Sequence, residues 1–435
     1  MAGKRGSPPV HLNLNVRGLP TSATLAVNEL SNRLIADGRR VFKLGLGQSP
    51  FPVPEPVVEE LRANAHQKDY LPVKGLEALR ESVAGYFGRT RQLNIRADDI
   101  IIGPGTKELM FILQLVYYGD LVIPTPSWVS YAPQAHIIGR HVRWLPTRRE
   151  NGWLLTPDQL ENLCRQDPAR PRLLILNYPN NPTGNTYSPG QLKNLAQIAR
   201  RYHAIVLSDE IYGGLDFSGN HHSIARYYPD GTIISNGLSK WCGAGGWRLG
   251  VFAFPPSLDW LLSAMAAVAS ETYTSTCAPV QFAAVRAFQG GAAIDRYLCH
   301  SRRILQALGE EVRRRLIAAG VQAVKPRGGF YLFPDFSPLR ERLAARGILT
   351  SSELCNRLLE ETGVAILPGS AFGQPEEALT ARLAYVDFDG VRALTASVKQ
   401  NGSRKLDPDF LETYCGKVIE AVDRLVDWLD HPPSS

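Results

Sequence analysis

Long apolar runs are missing from this 435-residue chain. No stretch reaches the roughly 18 consecutive apolar residues that a membrane-crossing helix needs, so no membrane span is expected. Cysteine is sparse, six in all, with no CxxC pair and no Cys/His cluster. That pattern argues against a disulfide framework and against a metal site, and it predicts a reducing, cytoplasmic setting. The charged first residues are not followed by the apolar core of a secretory signal. Internal repeats and low-complexity linkers are lacking too. A basic excess exists, +7 formally, but it is dispersed rather than gathered into a patch. Arg313, Arg314 and Arg315 follow Glu310 and Glu311 in a helical pattern, which predicts a solvated helix face and no nucleic-acid partner. The same mild basicity suits small anionic ligands.

What is present is ordinary globular material, 44% hydrophobic and 9% aromatic, enough for a sizeable core. The length allows about three average domains, although large α/β enzymes often have fewer. Helical patterns run over residues 24–37 and 56–66, and Leu76, Leu79, Val83 and Phe87 form an apolar stripe. Residues 108–116 are apolar nearly all round, which marks a buried helix, and Gly103-Pro104-Gly105-Thr106-Lys107 opens it. From there to about residue 254, short β-branched or Leu-rich runs alternate with helical stretches. Such alternation predicts an α/β fold, a mostly parallel sheet flanked by helices. Beyond about residue 301 the pattern changes to a basic helix (303–319), a strand (328–333) and a closing helix (415–429). The expected organisation is an N-terminal arm (1–45) that joins a smaller C-terminal α+β domain (301–435), with a large domain (46–300) between.

Lys240 is the most informative residue. It lies just past the β-branched run at residues 231–235, among Gly237, Ser239, Gly243, Ala244, Gly245 and Gly246. Ligands bind at the C-terminal ends of strands in open α/β sheets. Small neighbours leave room for a bulky adduct on the amine, and desolvation lowers its pKa, as Schiff-base chemistry requires. Upstream, the apolar run 173–176 leads into residues 177–184 (NYPNNPTG), and the run 204–208 ends in Asp209, with Tyr212 three positions on.

The order strand and Asn-Pro loop, strand and Asp, strand and Lys, followed by Gly246-Trp247-Arg248-Leu249-Gly250, resembles the class I/II aminotransferases. These are fold-type I pyridoxal phosphate (PLP) enzymes, similar to aspartate aminotransferase, and the likeness extends over residues 44–389. It implies a large PLP-binding domain with a seven-stranded type of sheet. PLP would form a Schiff base with Lys240, which then serves as the base at the substrate Cα. Asp209 would keep the ring nitrogen protonated, so that the ring accepts electrons; capping a following helix is the plainer alternative for that carboxylate. Tyr212 and Asn181 would share the phenolic oxygen, Asn181 being compatible with a turn role as well. Trp128 would stack on the ring, with Ile211 on its other face.

For the phosphate the resemblance implies Gly105, Thr106 and Lys107 at a helix N-terminus, together with Ser239 and Arg248. A serine common in the family three residues before the lysine is Gly237 here; Ser239 or Ser235 could compensate. Arg382 matches the arginine that grips the substrate α-carboxylate, and the backbone of Gly47 matches its second contact. Tyr70 matches a tyrosine that reaches the partner subunit's phosphate, which implies a homodimer with shared active sites. Residues 398–407 look like an insertion relative to the family.

The implied reaction is transfer of an amino group between an amino acid and a 2-keto acid. Elimination or cyclisation on the same scaffold, as in 1-aminocyclopropane-carboxylate synthase, is the alternative. Residues 264–276, where aspartate-type relatives carry an arginine for the distal carboxylate, contain no Arg and include Glu271. This counts against an aspartate donor.

Overall fold

The computed structural model describes residues 11–19, 23–400 and 406–430. Its centre is a seven-stranded sheet, here numbered β1 (Ile100–Gly103), β2 (Asp120–Thr125), β3 (Val142–Pro146), β4 (Arg172–Asn177), β5 (Ile205–Asp209), β6 (Thr232–Gly237) and β7 (Gly250–Ala253). The spatial order is β1-β7-β6-β5-β4-β2-β3. All neighbouring strands run parallel except that β7 is antiparallel to both β1 and β6.

Burial explains the continuous apolar runs. In β4, Leu173 and Ile175 join one core cluster while Leu174 and Leu176 join another on the opposite face. β5 divides likewise, Ile205 and Leu207 against Val206. A strand covered on both faces loses the polar alternation of a half-exposed one. The covering helices include Thr106–Val116 and Asp259–Ser270 on one side and Pro189–Arg201 on the other. Helix starts are locally encoded: Ser188 accepts from the Gln191 N–H while the Gln191 side chain returns the bond, and Thr156 with Gln159 does the same.

The two ends of the chain interlace. Phe42–Lys43 pairs in parallel with Val364–Ala365, and the Lys43 N–H donates to Asp387 Oδ2 at 2.7 Å. A small antiparallel sheet combines Leu367–Pro368, Ala381–Ala384 and Tyr331–Leu332. The strand expected over 328–333 is therefore only two residues long, because the Gly328 and Gly329 N–H groups instead donate to the carbonyls of Gly184 and Leu215, in two separate connections.

Two expected helices begin earlier than their apolar pattern. The basic one is Ala292–Ala318 and the closing one Pro408–Asp430, whose first turn is capped by Asp407 accepting from the Phe410 N–H at 2.8 Å. The basic run is not simply solvated. Arg315 bonds Glu311 at 2.8 Å and reaches across to Glu412 at 2.7 Å and Asp423 at 2.5 Å on the closing helix. Residues 401–405 of the anticipated insertion lie outside the described residues, and Val398 and Lys399 belong to the helix Gly390–Lys399. Among the described residues, no helix is long and apolar enough to cross a membrane.

Candidate active site

The C-terminal ends of the parallel strands open into a cavity of about 600 Å³. Parallel register lines up Asn177, Asp209 and Ser235 as direct partners across β4, β5 and β6. The Asn177 amide donates to the Asp209 carbonyl at 2.9 Å, and its oxygen accepts the Asn181 N–H at 2.7 Å. One side chain thus ties the strand end to the Asn-Pro loop.

Asp209 is buried, at 3% exposure, and has no cationic partner within ion-pair distance among the described residues. Tyr131 donates to its Oδ2 at 2.6 Å, Ser235 to its Oδ1 at 3.2 Å and the Ile211 N–H to Oδ1 at 3.4 Å. Burial outweighs these donors and pushes the carboxyl up to about 6. Only a single 3-10 turn, Gly213–Leu215, follows, with Tyr212 at its cap position. The helix-capping alternative for Asp209 is therefore excluded. Ser235, committed to Asp209, faces away from any phosphate role.

Lys240 follows the end of β6 by three residues, and its Nζ donates to the Gly47 carbonyl at 2.7 Å. The amine also lies 5.8 Å from the Tyr212 ring centre and 5.9 Å from that of Phe330. Burial, then the charges of Arg382 and Arg248, brings its pKa down to about 8, with Asp209 opposing. Arg382 is 2% exposed. It donates to Asn181 Oδ1 at 3.1 Å and to the Gly45 carbonyl at 2.5 Å, while its Nε has no partner. A buried guanidinium with a free N–H and no carboxylate is an anion receptor in search of an anion.

The remaining anticipated residues gather on the same cavity wall: Thr106, Lys107, Trp128, Ile211, Tyr212, Ser239 and Arg248. Gly105 sits just behind it with φ +91°, and a Cβ there would lie 2.1 Å from Arg248 Nη2. Only glycine lets the guanidinium lie against the start of the helix Thr106–Val116. Lys107 Nζ stands 5.3 Å over the Trp128 ring, and burial followed by the Arg248 charge lowers its pKa. Gly237 is the last residue of β6, and a Cβ there would meet the Leu249 carbonyl oxygen at 2.6 Å. The site has no space for the family's serine at that position. Tyr70 is 90% exposed and does not line the cavity of its own chain.

Sequence reasoning missed Tyr131, Tyr331 and Asn177, all on the cavity wall. Asn177 was in view as the first residue of the Asn-Pro motif. Tyr131 stands three positions after Trp128, and that spacing was the available clue.

A phosphorylated pyridine aldehyde fits what is here. The unpaired buried carboxylate suits a ring cation, the lysine of lowered pKa suits a carbonyl carbon, and the helix start beside Arg248 suits a phosphate. Four cationic side chains (Lys107, Lys240, Arg248, Arg382) against one carboxylate on the wall favour anions.

Comparison with known proteins agrees. The model of the family described as aminotransferase class I and II matches residues 39–390. An aspartate aminotransferase from Geobacillus stearothermophilus is 34% identical over 379 residues, 85% of this chain and 93% of that protein. An asparagine–oxo-acid transaminase from Streptococcus mutans is 31% identical over 388 residues, 86% of this chain and 94% of that one. Among solved structures, the aspartate aminotransferase from Thermus thermophilus with maleate superposes with a TM-score of 0.81 at 28% identity, covering 96% of this chain and all (100%) of that one. The chain belongs to the class I and II aminotransferases: it is a PLP-dependent transferase of fold type I that moves an amino group between an amino acid and a keto acid.

Proposed function

We propose that Lys240 is the covalent anchor of PLP and the base that removes and returns the substrate Cα proton. One observation carries this reading: a lysine of lowered pKa, a buried carboxylate without a cation and a buried arginine with a free N–H share one cavity. PLP, when bound, supplies the electron sink that makes loss of the Cα proton feasible.

The chain's own groups do the rest. Asp209 holds the ring nitrogen's proton, with Tyr131 and Ser235 fixing the carboxylate. Tyr212 and Asn181 hold the phenolic oxygen. Trp128 and Ile211 sandwich the ring. Gly105, Thr106, Lys107, Ser239 and Arg248 receive the phosphate. Arg382, with the Gly47 main chain, orients the α-carboxylate so that the Cα–H bond faces Lys240, whose pKa near 8 leaves a usable neutral fraction at neutral pH.

For the donor we propose a short amino acid with a polar or acidic side chain, aspartate first. The relatives' names support it, against the missing arginine in residues 264–276. We further propose a homodimer in which Tyr70 serves the neighbouring site, a cytoplasmic location consistent with six unpaired cysteines, and domain boundaries near residues 45 and 300. The helix Ala292–Ala318 would then run through the second boundary as a shared rod.

The test is borohydride reduction with peptide mapping, followed by a screen of amino donors in the half-reaction. The label is expected on Lys240, with conversion to the amine form of the cofactor. A label on another lysine, or product release that needs no keto-acid acceptor, would overturn the reading; the second outcome would favour elimination or cyclisation.

A further inference from the structure

Tyr331 touches both halves of the site. Its hydroxyl lies 2.9 Å from that of Tyr212, and its ring centre lies 4.8 Å from the Arg382 guanidinium carbon. Both tyrosines are buried, at 1% and 3% exposure. Each hydroxyl has the other as its hydrogen-bond partner, with no second partner among the described residues. The Gly47 main chain presses close as well: a Cβ there would fall 1.9 Å from the Tyr331 oxygen. The same Gly47 carbonyl receives Lys240.

Two hydroxyls carry two protons, and the bond between them uses one. The other is free to enter the cavity that both side chains line. If it comes from Tyr212, then Tyr331 must be the donor of the pair and Tyr212 the acceptor. A hydroxyl that accepts a hydrogen bond becomes a stronger donor through its own proton. Burial raises the pKa of both phenols, so neither proton is lost near neutral pH.

We propose that Tyr331 is a positioning residue with two separable actions. Its hydroxyl donates to Tyr212 and so directs the Tyr212 proton at the cofactor's phenolic oxygen, while its ring face supports the Arg382 guanidinium that receives the substrate carboxylate. The proposal rests on the reading of Tyr212 as the contact of that oxygen. A cation over an aromatic face is attracted to it, more so where water is excluded. Arg382 has only two hydrogen bonds to hold its heading, and the Tyr331 ring, together with the Phe372 ring 4.9 Å away, adds constraint that leaves its Nε free.

Two variants separate the actions. Tyr331→Phe removes only the hydroxyl, and Tyr331→Leu removes hydroxyl and ring together. Four quantities are read on the holoenzyme, with cofactor content checked first: kcat and KM for the amino donor, the dissociation constant of maleate as a non-reacting dicarboxylate, and the pH midpoint of the visible absorption of the lysine-bound cofactor. In Tyr331→Phe the phenolic oxygen faces a weaker donor and holds its shared proton more tightly. The midpoint should rise and kcat should fall about tenfold, with KM and the maleate constant within about twofold. Tyr331→Leu should repeat these changes and also weaken maleate by about fivefold or more.

An unchanged midpoint and kcat in Tyr331→Phe would overturn the hydroxyl's role. Equal weakening of maleate in both variants would overturn the ring's role, because the hydroxyl alone would then account for the loss. Tyr212→Phe distinguishes the two levels of failure. If it moves the midpoint while Tyr331→Phe does not, only the present inference fails. If neither does, the reading of Tyr212 fails with it.

Discussion

Tyr131 donates its hydroxyl proton to Asp209 at 2.6 Å, and both side chains are buried. The distance is that of a hydrogen bond to an ionised oxygen. It also restrains a carboxyl that burial, against the pull of its donors, leaves at about 6. Replacing Tyr131 by Phe removes the strongest of the three donors and leaves Ser235 and the Ile211 N–H. The Asp209 carboxyl should move further up. We expect kcat to fall by about tenfold at neutral pH, with a steeper loss on the acid side. The pH profile of kcat checks this, and a profile superposable on that of the parent enzyme would rule it out.

Asp209 should also cost the protein stability. Its carboxyl has a pKa near 6 in the folded chain against 3.8 for the ordinary group. Because the folded value is raised, the favourable contribution is complete below about pH 4 and is lost as pH climbs through 6. The cofactor-free Asp209→Asn protein should therefore be more stable than its parent at pH 7, by about 3 kcal/mol, and the gap should close near pH 4. With cofactor bound, the same variant should lose activity by several orders of magnitude. Denaturant midpoints at the two pH values test the first half of this expectation and single-turnover rates the second.

Gly237→Ser supplies the hydroxyl that relatives place three residues before the lysine. The Leu249 carbonyl oxygen stands 2.6 Å from where the new Cβ would go, so β7 would have to move. A loss of about 2 kcal/mol is expected, with no gain in cofactor affinity. Tighter binding of PLP by this variant would show that the strand yields.

Tyr70 serves the neighbouring chain if the dimer reading holds. Tyr70→Phe and Lys240→Ala proteins should each be impaired alone. Verified heterodimers should recover part of the activity, because one of their two sites carries neither defect. No recovery, or a fully active monomer in solution, would refute shared sites.

Lys240 and Asp209 were legible because each stands at or just past a strand end, and strand ends are marked by where apolar runs stop. The buried sheet was legible for the same reason. Asn181 and Arg382 were reached through the family resemblance. Tyr131 and Tyr331 were reached by neither route. An aromatic residue beside other aromatics reads as core, and here both are core by burial and site by hydroxyl. The first turns of Ala292–Ala318 escaped although Ile294, Tyr297 and Leu298 stand at helical spacing, because the stripe is then interrupted by His300 and Ser301, which are buried but polar. Ser235 was considered for the phosphate. Its true partner, Asp209, is set by the register of two strands, which the sequence of neither displays.

Gly103, Gly250 and Gly237 lie side by side where β1, β7 and β6 meet. A Cβ on the middle one would come within 2.2 Å of the Thr106 main-chain nitrogen. The loop that starts the helix is thus laid directly on bare backbone, with no side chain between to trim its height or angle. In a library of variants this triplet should tolerate almost nothing, and it would be a poor place from which to change which amino acid the enzyme accepts. Gln48 and Ser130, which also line the cavity, present side chains rather than bare main chain. Altered substrate preference would have to be sought there, by selection or by design.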